Sequence, residues 1–213
     1  MAKKKARSAG QTQTTPQRIL SAANDLFLAN GFRETSLDDV ATLAGVTKPT
    51  VYSHFGSKQG LLITLVRERI SENATVLSDI LRGSGDVESD LLHFGKIFLS
   101  RTQSKEAARW RRLAFAESIE HPEIGVSIHA AGPAIVGKAM VAFMKQETKA
   151  GRLCCDDPEM AAEQFLGLLL GLGPIHEIIG KPPPGKAKQG RICRAAVRTF
   201  LAAYQSKRRG AKS

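Results

Sequence analysis

The stretch SLDDVATLAGVTKPTVYSHFGSK, residues 36–58, decides the fold of this chain. It predicts a short helix, a tight turn, a second short helix and the start of a third, an arrangement called a helix-turn-helix. Ser36 can cap the first helix together with Asp39, because each side chain can accept a hydrogen bond from the other residue's backbone amide. Gly45 suits the turn, where a left-handed backbone would strain a residue that has a side chain.

The second helix of this unit begins with polar side chains, and Pro49 lies in its first turn, where a missing N–H costs nothing. In a helix-turn-helix the second helix enters the major groove, with its N-terminal side chains at the base edges. An ordinary helical hairpin would show the same local pattern, with Tyr52 and Phe55 as core aromatics. The residues predicted to contact DNA are Thr35, Ser36, Thr47, Lys48, Pro49, Thr50, Tyr52, His54 and Lys58.

The run AGVTKPTVYSHFGSK, residues 44–58, resembles the DNA-binding signature of TetR/AcrR-type transcriptional regulators. The resemblance implies a homodimeric, all-helical protein with a three-helix DNA-binding domain, a linking fourth helix and a ligand-responsive domain. It usually implies repression that a small molecule relieves. It also implies that the family's recognition-helix Tyr and His are Tyr52 and His54, and that its helix-four lysine is Lys58.

A second, looser resemblance covers residues 110–172, which are similar to the C-terminal domain of the AefR-like branch of that family. We therefore expect an all-α fold with a helix-turn-helix domain and a larger helical bundle for ligand binding and dimerisation. The expected segments are a disordered basic arm at 1–14, the DNA-binding domain at 15–60, the ligand-binding and dimerisation domain at 61–206, and a basic tail at 207–213.

Composition indicates a cytoplasmic protein without a membrane partner. The basic N-terminus is not followed by an apolar stretch, so no signal peptide is expected, and we expect no run that approaches the ~18 apolar residues of a spanning helix. The three cysteines, Cys154, Cys155 and Cys193, lack metal-binding spacing and fit a reducing compartment. A redox role for the adjacent pair stays open beside the commoner role of a small buried hydrophobe.

The net charge of +11 is concentrated at the two ends of the chain. Residues 61–180 hold thirteen Lys/Arg against sixteen Asp/Glu, whereas residues 181–213 hold ten against none. The N-terminal arm, with Lys3, Lys4 and Lys5, can follow a DNA groove or simply keep the protein soluble. We favour the solubilising role for the tail around Arg208.

Apolar residues at helical spacing predict helices along the rest of the chain. The first begins at Thr15 and Pro16 and ends at Asn30-Gly31. A fourth helix, from Ser57 to Arg82, is expected to link the domains mechanically. The remaining predicted helices cover residues 87–103, 105–119, 122–150, 157–180 and 187–206, with a kink or stop at Gly132-Pro133.

An effector cavity is expected in the larger domain, although each of its candidate residues could equally be ordinary core. An apolar ligand and an anion reached by arginines both stay open. The candidates are Phe94, Phe98, Trp110, Phe115, His129, Met140, Phe143 and Met144.

The resemblance implies a four-helix dimer interface formed by the last two long helices and their copies. Gly167 and Gly171 imply close helix contact there. We also hypothesise that acids between Asp156 and Glu163 pair with Arg191, Arg194 and Arg198. The predicted interface residues are Phe165, Leu168, Leu169, Leu172, Ile192, Ala195, Ala196, Thr199, Phe200 and Ala203.

Enzyme signatures are missing from the sequence. The run GKPPPGKA, residues 180–187, comes close to a phosphate-binding loop, but Ala187 stands where Ser or Thr must hold magnesium. We expect no catalytic residue, no cofactor and no metal site. The expected function is a sequence-specific, ligand-released repressor; the alternatives are an activator of the same fold and a non-specific nucleoid-type DNA-binding protein.

Overall fold

The computed structural model of the chain describes residues 13–206, and the rest of the basic arm and the tail lie outside these residues. Within them the chain forms eleven α-helices and no β-strand, apart from one isolated bridge between Leu153 and Gln205. The predicted all-α fold is therefore confirmed. The helices are α1 (Thr15–Asn30), α2 (Leu37–Ala44), α3 (Lys48–Phe55), α4 (Lys58–Ile80), α5 (Val87–Thr102), α6 (Lys105–Glu120), α7 (Pro122–Ala131), α8 (Pro133–Lys149), α9 (Pro158–Leu170), α10 (Gly173–Ile178) and α11 (Lys186–Tyr204).

The chain divides into two compact units between Leu65 and Val66. The first unit contains α1, α2, α3 and the beginning of α4. Its core is an apolar cluster in which the rings of Phe27 and Phe32 lie 5.4 Å apart. The fully buried side chains around them are Ile19, Val40, Val51, Leu61 and Leu62.

The second unit is built around α5, which packs against α11, while α11 also packs against α9. A chain of aromatic contacts joins these helices: Phe94 lies 6.2 Å from Phe165, which lies 5.2 Å from Phe200. Gly95 allows α11 to come close, because a Cβ at this position would lie only 2.7 Å from Cys193 Sγ. The core of this unit is centred on these three helices and is completed by buried apolar side chains of α4 and α8.

Two predicted helices are each broken in two. The segment predicted at 122–150 is divided at Gly132, where the sequence predicted a kink or a stop. A Cβ at Gly132 would lie 2.0 Å from Ile70 Cγ2 on α4, so a side chain there would require a shift of the structure. The helix predicted at 157–180 was wrong as a single element, because it ends at Gly171, which has a φ of 49°. A Cβ at Gly167 or Gly171 would meet nothing within 4 Å, so neither glycine makes a close helix contact among residues 13–206 of one copy.

Pro122–Lys149 is long and apolar enough to span a membrane by length and composition alone. This finding corrects the expectation that no stretch would meet that criterion. Core helices of soluble proteins pass the same test, and here the segment is divided between α7 and α8. It is weak support for a membrane-spanning helix.

Candidate nucleic-acid interface

The turn between α2 and α3 is fixed by the residues that the sequence singles out. Ser36 Oγ accepts from the Asp39 amide at 3.1 Å, and Asp39 Oδ2 accepts from the Ser36 amide at 3.1 Å. The Ser36 hydroxyl also donates to Asp39 Oδ2 at 2.6 Å, and this bond, together with the one from the Ser36 amide, favours the ionised carboxylate and lowers the pKa of Asp39. Gly45 has a φ of 65° and a ψ of 41°, the left-handed conformation expected. Both predictions are confirmed.

The first turn of α3 presents polar side chains on the protein surface. Thr47 caps the helix by accepting from the Thr50 amide, and the two threonine Oγ1 atoms lie 2.8 Å apart. Thr47, Lys48 and Pro49 are exposed and Thr50 is half-buried, while Val51 is fully buried and anchors the helix to the core. A rigid anchor below an exposed polar turn is the geometry that base reading requires.

Lys48 is held in place by an exposed ion pair across the turn. Its Nζ lies 2.8 Å from Asp38 Oδ2 on α2. The hydrogen bond to Asp38 is the main reason that the pKa of Lys48 is raised, so the ammonium stays charged. The pair orients the lysine beside the start of α3, where a phosphate or a base acceptor can replace the exchangeable carboxylate.

Tyr52 and His54 lie farther along α3 and are both exposed. Tyr52 keeps 47% of its surface exposed, which excludes the alternative reading of this side chain as a core aromatic. His54 contacts Phe55, with ring centroids 6.1 Å apart. Both side chains are therefore free to meet a DNA backbone.

Two predicted contact residues are instead engaged within the first unit. Thr35 is 1% exposed, and its hydroxyl donates to the Gly31 carbonyl at 2.8 Å. Lys58 Nζ donates to the carbonyls of Phe32, Arg33 and Thr35 at 2.8, 3.2 and 2.9 Å, and lies 4.5 Å from the Phe32 ring centroid. Because its three hydrogens are used, Lys58 closes the loop between α1 and α2 rather than presenting its charge to phosphate. Ser36 is exposed, although its hydroxyl serves the helix cap.

The predicted ligand residues divide by burial. The structure brings most of them together in the core of the second unit, whereas Phe115 and His129 are exposed and do not line an interior. Trp110 is 5% exposed, and its Nε1 has no hydrogen-bond partner among residues 13–206. The buried candidates are Phe94, Phe98, Trp110, Met140, Phe143 and Met144.

The predicted dimer residues divide in the same way. Phe165, Leu169, Ala196 and Phe200 are buried within one copy of the chain, so they cannot present their side chains to another. Ile192 is half-buried. The exposed candidates are Leu168, Leu172, Ala195, Thr199 and Ala203.

Sequence reasoning missed the apolar surface contributed by the segment after α9. Ile178 and Ile179 are 59% and 62% exposed. They follow Glu177, whose carboxylate is buried and accepts from Arg111 Nε at 2.7 Å, a contact between distant residues that the sequence does not reveal. Because the side chain of Glu177 faces the interior, the adjacent Ile178 and Ile179 face the solvent.

Comparison with known proteins finds two family matches, one in each half of the chain. Residues 19–65 match the family described as bacterial regulatory proteins, tetR family. Residues 89–206, more than half of the chain, match the family described as AefR-like transcriptional repressor, C-terminal domain.

Individual relatives cover most of the chain. The uncharacterised HTH-type transcriptional regulator YvkB of Bacillus subtilis (strain 168) is 25% identical over 74% of this chain and 80% of its own. The crystal structure of a TetR-family regulator from Mesorhizobium loti MAFF303099 is 26% identical, with a TM-score of 0.83, over 90% of this chain and 96% of its own. The flavonoid-responsive regulator FrrA is 28% identical, with a TM-score of 0.74, over 91% and 98%.

These matches confirm the predicted family and assign the chain to non-enzymatic regulators of transcription. The helix-turn-helix of α2 and α3 is its DNA-binding element. The chain belongs to the TetR family of bacterial transcriptional regulators, with a C-terminal domain of the AefR-like branch.

Proposed function

We propose that the protein is a cytoplasmic, dimeric repressor that reads a specific DNA operator and releases it when a small molecule binds. The observation that carries the proposal is the exposed first turn of α3, held over the buried Val51. In this proposal Lys48, Pro49 and Thr50 meet base edges, with Tyr52 and His54 beside the backbone. Repression is supported by the match to the AefR-like repressor family.

The dimer is supported by the apolar surface of α9 and α10. Leu168, Leu172, Ile175, Ile178 and Ile179 are each at least 40% exposed, and they follow one another along the chain. Exposed apolar side chains that cluster in this way mark protein–protein contacts. A twofold contact through this surface would set two recognition helices one DNA turn apart, roughly 34 Å.

Release by a ligand is supported by FrrA, whose name states that it responds to flavonoids. We assign DNA binding to residues 15–60, and ligand binding and dimerisation to residues 61–206. Helix α4 contains residues of both parts and would carry the change between them. The ligand must prefer one of two states, because only a difference in affinity shifts their populations.

The experiment that tests this function is fluorescence anisotropy with a labelled duplex from upstream of the protein's own gene, with scrambled competitor, at two salt concentrations. We expect the preference over competitor to persist at high salt. Tyr52→Ala should weaken all sequences, whereas Lys48→Ala or Thr50→Ala should relax the base preference. Equal, sequence-blind losses from all three variants would overturn the assignment of base reading to the first turn of α3.

A further inference from the structure

Helices α9 and α11 lie side by side and carry opposite charge. Tyr204 at the end of α11 is hydrogen-bonded to α9 and to the segment before it: its hydroxyl donates to Gln164 Oε1 at 2.7 Å, and its carbonyl accepts from the Cys154 amide at 2.8 Å. Helix α9 contains two Asp/Glu and no Lys/Arg, whereas α11 contains five Lys/Arg and no Asp/Glu. The two neighbouring helices are therefore separated by the sign of their charge.

The cations of α11 form a row without an ion pair in the described part of the chain. Lys188, Arg191, Arg194 and Arg198 are exposed, and none of them has an ion-pair partner within 4.0 Å among residues 13–206. Successive members are three or four residues apart, so like charges are neighbours on one helix face and repel each other. Within residues 13–206 these like charges therefore lie close together without an ion pair.

The same row borders an apolar groove between α5 and α11. The groove is lined by Leu92, Ile192 and Leu201, by the four cationic side chains and by one acid, Glu88 of α5. A partner that fits this surface must bring both carboxylates and apolar contacts. Duplex DNA brings phosphates only, so it would leave the apolar lining exposed.

Three exposed acids, called here the acids of α9, are Asp156 two residues before the helix and Glu159 and Glu163 on it. Asp156 and Glu163 have no ion-pair partner in the described part of the chain, and Glu159 forms only an exposed pair with Lys145, at 3.8 Å. Leu168, 40% exposed, lies on the same helix. The exposed side of α9 thus combines carboxylates with an apolar contact.

A surface made of an acidic helix beside a basic helix is complementary to itself under a twofold rotation, because each helix can then face the opposite charge. An unrelated acidic protein would satisfy α11 and leave the acids of α9 unmatched. We propose that the exposed acids of α9 pair with the arginine row of α11 in a second copy, and that this charge pattern makes the chain select its own copy as partner. The inference rests on the dimer of the proposed function and adds what determines the choice of partner.

The test reverses each half of the pattern separately. Arg194→Glu/Arg198→Glu and Asp156→Arg/Glu163→Arg should each weaken homodimerisation at least about tenfold at low salt, because like charges then face each other. An equimolar mixture should form the heterodimer, in which both contacts are again complementary. Native mass spectrometry separates the three dimers by mass, and raising the salt concentration should reduce the preference for the heterodimer.

A matched control has the same number of reversed charges elsewhere. Lys105→Glu/Lys138→Glu changes two exposed lysines outside α9 and α11 and should dimerise as the wild type does. Far-UV circular dichroism and thermal unfolding check that each variant is folded. Charge-reversed variants that dimerise as tightly as the wild type would overturn the inference, and so would a mixture that shows no preference for the heterodimer. In either case a dimeric wild type would leave the proposed function intact. A monomeric wild type would instead contradict both.

Discussion

A substitution at Lys58 can distinguish a role in the stability of the first unit from a role in DNA binding. The family resemblance assigns it to a phosphate contact, whereas the structure commits its ammonium group to three backbone carbonyls and the Phe32 ring. Lys58→Met keeps the aliphatic stem and removes only the charged donors. If the structural role is correct, the variant must destabilise the first unit whether or not DNA is present.

The expected magnitude follows from the contacts. A hydrogen bond to a charged group contributes ~1.5–3 kcal/mol, but water can reach the carbonyls around this half-buried side chain. We therefore expect a net loss of about 3 kcal/mol in the free energy of unfolding of the first unit. Since 1.4 kcal/mol corresponds to a factor of ten, amide exchange limited by that unfolding should accelerate by roughly 100-fold.

Hydrogen–deuterium exchange of peptides from residues 19–57 measures this effect directly. Lys48→Met is the matched control, because its ion pair with Asp38 is exposed and should contribute only ~0–1 kcal/mol to stability. The control should leave exchange nearly unchanged and reduce DNA affinity. Wild-type exchange in Lys58→Met together with a large loss of DNA affinity would refute the structural role and restore the phosphate contact.

Two further predictions concern the second unit. Gly132→Ala should lower the free energy of unfolding of this unit by ~1–3 kcal/mol, because the new methyl group would overlap Ile70. Thermal unfolding should show that adding Ile70→Ala to this variant recovers part of the loss. No change in stability on Gly132→Ala would contradict the close approach of Gly132 and Ile70. Burial raises the pKa of the Cys155 and Cys193 thiols and keeps them protonated, whereas Cys154 is exposed. A thiol reagent at pH 8 should therefore modify Cys154 first. Equal labelling of all three cysteines in peptide mass spectrometry would contradict this burial.

The elements that could be predicted from sequence are those determined by neighbouring residues. Ser36 with Asp39, and Gly45 between the two short helices, satisfy needs of their own backbone, so their roles follow from spacing alone. The role of Lys58 could not be found in this way, because its three acceptors lie more than twenty residues away. The DNA contact predicted for Thr35 did not anticipate that its hydroxyl donates to the Gly31 carbonyl.

Periodicity also left a specific ambiguity in α9. Phe165 and Leu168 lie one turn apart and both look like parts of an apolar stripe, yet the first is fully buried and the second is 40% exposed. A helix with apolar residues around much of its circumference can bury one side in its own core and offer the other to a partner. Only the packing against α11 and α5 shows that Phe165 faces the core and Leu168 faces the surface.

Selection from a random duplex library tests the central claim most directly. Wild-type protein is used to enrich bound sequences over several rounds at physiological salt, with Tyr52→Ala as the control. A dimeric, sequence-specific regulator predicts enrichment of a palindromic site whose two half-sites are centred about one or two helical turns apart, and much weaker enrichment by the variant. Retention of duplexes without any enriched sequence would contradict specific reading by α3 and favour non-specific binding by charge alone.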